Sequence, residues 1–301
     1  MRRQTRVSRA SGAVVLSALA LGASAAVAGA ESQAEEKERT SWLPSLALSF
    51  DVHHQSLDVS GTSDLGFSEK QSENLLTSVF SVDGAISTPV LAEGFGAPRL
   101  FVQAGVQAPL SDETTPLKAV RSFPAVDPDT GGLPPETVES CPDLDAPKEA
   151  CDHSLESKLT FNVSWSAGLG AEFTLPTPSR ALKIRTSVDY FGQSLDFDGD
   201  AERLDRGGTG EEIEKLRIGG ASTSKTLHAL GPRVAFSGEV GRAGPLSFGV
   251  FAEIRLYWLL NDGDINYSAT NTNGTASFVA EPDSFVAQGG AGLRITWVGS
   301  R

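Results

Sequence analysis

Between Leu155 and Leu175 the chain alternates without a break. The odd positions read Leu155, Ser157, Leu159, Phe161, Val163, Trp165, Ala167, Leu169, Ala171, Phe173 and Leu175; the even positions between them are polar or glycine, from Glu156 and Lys158 to Glu172 and Thr174. Successive side chains on a strand point to opposite faces, so this stretch predicts one two-sided ribbon with every apolar residue, Phe161 included, on the same face. It is long. A soluble strand usually has ~5–6 residues, whereas a tilted strand crossing a bilayer needs ~9–11.

Seven further alternating stretches surround it. They run from about Leu46 to Gln55, Asn74 to Thr88, Pro98 to Leu110, Ala181 to Phe197, Ser222 to Gly238, Leu246 to Asn261 and Ser284 to Val298. The connections alternate in length. Ser60–Glu73, Ser111–Ser154, Asp198–Ala221 and Asp262–Asp283 are long and read as loops, with a helical turn expected over Glu211–Arg217. Pro89–Ala97, Pro176–Arg180 and Glu239–Pro245 are short. In an up-and-down sheet, alternate connections share one end. The fold class predicted is therefore all-β: an eight-stranded antiparallel up-and-down transmembrane barrel with a polar interior, short periplasmic turns and long extracellular loops.

Which face looks outward follows from three observations. Trp42, Trp165, Trp258 and Trp297 all lie on the apolar parity, as an aromatic girdle requires. The polar parity carries both signs of charge, with Asp51, Asp83, Glu172, Asp189 and Glu253 against Arg99, Lys183, Arg185, Arg233, Arg255 and Arg294, and His53 beside Asp51. A narrow lumen needs such balance, because an unpaired buried charge is costly. Closure also removes sheet edges that hydrocarbon cannot satisfy. The soluble alternative, a lipocalin-like barrel with apolar residues inside, explains less of the strand length and loop asymmetry.

The first 30 residues read as a signal peptide. Arg2, Arg3, Arg6 and Arg9 precede an apolar run from Ala13 to Ala28 that ends in small residues. Residues 31–41 read as a disordered periplasmic lead-in, and 42–301 as the barrel. The expected location is the outer membrane of a Gram-negative bacterium. The net charge of −13 argues against nucleic acid as a partner. Two cysteines, Cys141 and Cys151, lie close together in one polar segment. In an oxidising compartment they suggest a local disulfide, with a free thiol pair as the alternative.

By this layout, rather than by any motif, the chain resembles the small eight-stranded outer-membrane barrels of the OmpA/OmpX/OmpW type over about Trp42 to Arg301. It departs from them at the end, Thr296-Trp297-Val298-Gly299-Ser300-Arg301, where members commonly finish on an aromatic. The peptidoglycan-binding domain of the larger members is not expected.

The candidate chemistry is sparse. The lumen charges suit a plug of salt bridges, since side chains nearly fill an eight-stranded barrel; a narrow ion path is the alternative. His54 and Ser56 share a lipid-side face, which resembles the His and Ser of outer-membrane lipid A deacylases, but no acid is placed to orient the His. His153 and His228 read as structural or solvated. The long connections are acidic, and fragments such as Asp127-x-Asp129 and Asp262-x-Asp264 hint at calcium or magnesium without full EF-hand spacing. No cofactor is otherwise expected. The sequence therefore predicts a non-enzymatic surface protein acting through its acidic loops. The expected partners are outer-membrane lipid and lipopolysaccharide, with an extracellular protein or small ligand possible. A channel is the first alternative and a lipid A-modifying enzyme the second.

Overall fold

The computed structural model describes residues 38–92, 96–111, 113–123, 150–176, 181–206 and 212–298. The expected signal segment, Cys141, Asp127 and Asp129 lie outside the described residues. Among the described residues ten strands form one sheet: β1 (Leu43–Ser63), β2 (Phe67–Ser87), β3 (Arg99–Pro109), β4 (Glu113–Phe123), β5 (Ala150–Pro176), β6 (Ala181–Arg206), β7 (Glu212–Ala243), β8 (Leu246–Leu259), β9 (Ile265–Asn271) and β10 (Gly274–Trp297). All pairings are antiparallel. β3 and β4 pair with successive stretches of β5, and β8 and β9 with successive stretches of β10, so the ten segments make eight runs. β1 also pairs with β10, from Ser45↔Thr296 to Ser63↔Ala276, which joins the two ends of the sheet.

The expected long loops are largely strand. β1 and β2 continue through most of Ser60–Glu73 to a tight turn at Asp64–Gly66. β6 and β7 pair out to Arg206 and Glu212, so the helical turn expected over Glu211–Arg217 is extended backbone from Glu212 onward. β9 and the start of β10 form a hairpin inside Asp262–Asp283. Part of Ser111–Ser154 is β4. At the other end, residues 38–40 of the supposed lead-in form a helical turn.

The wall changes sidedness partway up. On β1, the outward positions Leu46, Leu48, Phe50 and Val52 are apolar and the inward Ser49, Asp51, His53 and Gln55 are polar. Above Gln55 the inward residues become Leu57 and Val59, and the outward ones Ser56, Asp58 and Ser60. β6 does the same: Arg185, Ser187 and Asp189 point inward below, Phe191, Leu195 and Phe197 above, while the outer face passes from Ile184 and Val188 to Asp196, Asp198 and Asp200. The lower storey is apolar outside and ionic inside. The upper storey is a water-type barrel with a greasy core. The step from Trp42 to Val52, at ~3.4 Å per residue and a ~40° tilt, spans about 26 Å, close to the ~25 Å apolar band of an outer-membrane barrel.

β5 keeps its sequence alternation across this boundary by means of a β-bulge between Phe161 and Ser164. The extra residue reverses the parity. Leu155, Leu159 and Phe161 therefore point inward, and Phe161 is only 4% exposed; Val163, Trp165 and Leu169 point outward, Val163 at 60%. The single lipid-facing ribbon expected over Leu155–Leu175 is corrected accordingly: its upper third faces the core.

One seam of the upper wall is not laddered. The β2–β3 pairing stops at Val79↔Pro109, with Leu110 N–H donating to Ser78 O at 2.8 Å. Above it, among the described residues, β2 pairs only with β1 and β4 only with β5.

Candidate functional site

The residues singled out by charge meet inside the lower storey. At its middle, Asp51, Asp83, Asp189, Arg233, Glu253 and Arg255 come together from five strands. Arg233 Nη2 lies 2.9 Å from Asp83 Oδ2 and 2.6 Å from Glu253 Oε2, and its Nη1 lies 3.6 Å from Asp189. Arg255 donates from Nε to Glu253 Oε1 at 2.9 Å, contacts the same carboxylate through Nη2, and reaches Asp83 at 3.1 Å. Ser49 and Ser81 donate to Asp51, and Gln103 Nε2 donates to both oxygens of Asp189 at 2.9 Å. All six charged residues are buried. Such a set is sustainable in low dielectric only because each charge is met by an opposite one or a hydrogen bond.

The three aspartates have a shared device. Asp83 stands opposite Gly105, Asp189 opposite Gly168 and Asp51 opposite Gly290. A Cβ on these glycines would lie 1.9, 2.0 and 1.6 Å from the carboxylate Oδ1 atoms. The carboxylates lean across the neighbouring strand into space that only glycine leaves.

A second layer closes the short-turn end. Glu172 pairs with Arg185 and, at 3.5 Å, with Lys183. Arg99 donates to the carbonyls of Glu38, Ser41 and Thr88, holding the turn at 38–40 beneath the mouth. Glu38 also accepts from Arg242, which pairs in turn with Glu239 at 2.6 Å. Arg294 lies over the Phe251 ring, 4.8 Å from its centroid.

Above the ionic middle, His53, Gln107 and Gln288 are linked: Gln288 Nε2 is 2.9 Å from His53 Nδ1 and donates to Gln107 Oε1 at 3.2 Å. Then the apolar core begins, with Phe191 stacked on Tyr257 at 4.8 Å and Tyr267 on Phe278 at 5.3 Å. The Tyr267 hydroxyl bonds Ser157 at 2.5 Å; burial pushes this phenol up to about 12, and the Ser157 bond opposes that rise. Arg203 donates to Asp205 at 2.7 Å at the top, where the Cys151 Sγ lies 3.3 Å from His153 Nε2.

Charge on the polar parity led to twelve lumen residues, and the structure brings all of them inward, ordered into layers. The neutral members, Ser49, Ser81, Gln103, Gln107 and Gln288, sit on the same polar parity, but without a charge nothing singled them out for the network. Arg203 and Asp205 were missed because their stretch read as a loop. Glu38 and Arg242 came from segments without periodicity. Trp42, Trp165, Trp258 and Trp297 are exposed on the outer surface. His228 faces outward too, its Nδ1 2.8 Å from the Tyr190 hydroxyl. The hydroxyl of Ser56 donates to Asn74 Oδ1 at 2.7 Å, and His54 is exposed beside it on the outer face. Asp262 and Asp264 lie exposed in the β8–β9 connection. Among the described residues no group of three or more His, Cys, Asp or Glu side chains is placed to hold a metal.

No family model matches the chain, and no curated protein does. Among solved structures, the chain is similar to the outer membrane protease OmpT from Escherichia coli, at 10% identity, 87% of this chain, 100% of that one and a TM-score of 0.35. It is similar to Ail, the attachment invasion locus protein of Yersinia pestis, solved with the heparin analogue sucrose octasulfate, at 12% identity, 83% and 98% coverage and a TM-score of 0.21. A Pseudomonas aeruginosa FadL homologue matches at 10% identity, 85% and 90% coverage and a TM-score of 0.17.

Proposed function

We propose that this chain is a non-enzymatic outer-membrane surface protein that carries a rigid, water-facing β-barrel above the outer leaflet. One observation carries the reading: the inversion of sidedness along the same strands. An apolar outer face with an ionic interior suits hydrocarbon. A polar outer face with an apolar interior suits water. The surface offered to partners is then the outer wall of the upper storey rather than slack loops. On β6 that wall presents Asp196, Asp198, Asp200 and Glu202 in a row. Partial neutralisation comes from neighbours, with Arg217 2.9 Å from Asp200 and Lys215 3.1 Å from Glu202. A basic extracellular partner fits this wall, and lipopolysaccharide phosphates would meet it through divalent cations.

The buried ionic layer supports a closed lumen over a channel, since its charges are spent on one another. The Ser56–Asn74 bond supports a structural role for that serine over a nucleophilic one, because a nucleophile needs its base as partner. The test is surface labelling. A membrane-impermeant maleimide should label Asp198→Cys on intact cells, with the parent chain as background, and should leave Val250→Cys unlabelled until the membrane is dissolved. Equal labelling of both, or labelling only after lysis, would remove the reading. With topology settled, charge-neutral variants of the β6 row should lose binding to basic proteins while keeping heat-modifiable gel migration.

A further inference from the structure

The unladdered seam between β2 and β4 contains a framed window. Its sill is the Leu110 N–H bond to Ser78 O at 2.8 Å. Its lintel is Lys118 N–H donating to Gln71 Oε1 at 3.3 Å. Between them lies a cavity of about 300 Å³, bordered by Glu73–Thr77 on one side and by Ser111, Glu113 and Thr114 on the other. Its back wall is Phe161, the core residue at the bulge. Volumes of ~300 Å³ are at the lower end for small-molecule sites.

The height of the window matters. It opens where the outer face changes from apolar to polar: Leu76 and Leu110 are exposed outside it, and Asn74 and Ser56 begin the polar surface just above. An occupant would meet hydrocarbon and water at once. Inside, Leu75 and Phe161 belong to the greasy core, so a short apolar chain finds matching surface there. At the rim the chemistry is anionic and accepting. Glu113 leans 3.4 Å from Lys158, and Glu73 accepts from Gln71 Nε2 at 2.7 Å. The backbone along this edge of β2 lacks a ladder partner among the described residues, leaving both carbonyls to accept and N–H groups to donate, so the choice of head group falls to the side chains. Lys158 offsets part of the Glu113 charge, and the carboxylate of Glu73 keeps the rim net anionic, which disfavours a phosphate or sulfate head and favours an ammonium.

We propose that this window binds a single-chain amphiphile with a protonated amine head, its tail against Phe161 and Leu75 and its head between Glu73 and Glu113. The probe is a dodecylamine carrying a diazirine on its chain, with the matched dodecyl sulfate as control, applied to the whole barrel in lipid vesicles. The amine probe should crosslink saturably to the Leu75–Thr77 and Phe161 peptides. The sulfate probe should label them roughly ten-fold less, the worth of one charge-assisted bond. Glu73→Gln should erase most of that preference, and Phe161→Trp should block labelling by filling the cavity, both with unchanged heat-modifiable migration. Labelling spread evenly round the apolar belt, or equal for amine and sulfate, would overturn the proposal. If Phe161→Trp fails to fold, the amine-to-sulfate ratio in the parent chain and in Glu73→Gln still decides it.

Discussion

Phe161 and Val163 stand two positions apart on β5 and face opposite sides of the wall, because a bulge between Phe161 and Ser164 inserts an unpaired step into the ladder with β6. The bulge lies where the outer face of the wall changes from apolar to polar, so it reverses the parity while the polarity of the two faces reverses as well. Deleting Asn162 should remove the step and put one half of β5 inside out, since a one-residue slip turns every side chain to the other face. The expected result is loss of the folded, heat-modifiable band, whereas deleting Gly263 in the exposed β8–β9 connection should leave it. A folded band from the Asn162 deletion would show that the bulge is not what sets sidedness.

That bulge explains what could be read from the sequence. The eight runs and the short turns were legible because, in the lower storey, apolar and polar positions alternate cleanly. The upper storey was read as loop for a physical reason. On β1 the apolar positions pass from even (Leu46 to Val52) to odd (Leu57, Val59), beyond the predicted end at Gln55; on β6 the same passage, from Ile184 and Val188 to Phe191, Leu195 and Phe197, falls inside the stretch predicted to Phe197, and only the residues from Asp198 read as connection. A change of phase looks like the end of a strand when it is an exchange of polarity between the two faces. On β5 the bulge hid the change, and one ribbon was read where two faces exist. The lumen set was legible through charge alone. Nothing local marks Glu38, which meets Lys183 and Arg242 only once the distant segments come together, whereas Arg242 also pairs locally with Glu239, three residues away. The lateral window has no sequence signal, because it arises from a pairing that stops.

The glycine–aspartate pairs should tolerate little. A methyl at residue 290 would sit 1.6 Å from Asp51 Oδ1, and at residue 168, 2.0 Å from Asp189 Oδ1. Either carboxylate must then leave its bonds to Ser49 and Ser81, or to Gln103. Gly290→Ala and Gly168→Ala should each cost about 1–3 kcal/mol, the usual range for overpacking a tight interior. Gly263→Ala, which meets nothing within 4 Å, should stay within ~0.5 kcal/mol. Urea unfolding in vesicles measures both, and equal midpoints across the three variants would contradict the packing described.

The ionic middle should be both brace and stopper. Glu253 and Asp83 each join Arg233 to Arg255, so Glu253→Gln leaves the two buried guanidinium groups sharing Asp83, with Asp189 3.6 Å from the first and Asp51 3.7 Å from the second. Breaking a buried pair in this way costs about 3–5 kcal/mol. The parent barrel should show no stepwise current in planar bilayers. Truncating both Arg233 and Arg255 to Ala removes the groups that span the lumen and should produce small discrete steps. Steps from the parent chain of the same size would revive the narrow-channel reading.

Alkaline pH should loosen the upper storey through Tyr267. Its phenol is buried against Phe278 and Phe197, and burial holds its proton to about 12, against an ordinary 10, with the Ser157 bond pulling the other way. The folded state therefore prefers the neutral phenol more than the unfolded chain does. The stability this confers is fully present below pH ~10 and is lost as pH rises towards the folded value, on the order of 2 kcal/mol in all. Tyr267→Phe should cost about 1 kcal/mol at pH 8, where Ser157 loses its partner. It should then lose less than the parent between pH 10 and 12, so the two urea-midpoint curves converge. Absorbance at 295 nm should show one tyrosine fewer resisting ionisation at pH 11 in the variant. Parallel midpoint curves would mean that the Tyr267 hydroxyl is as well hydrated in the folded barrel as out of it.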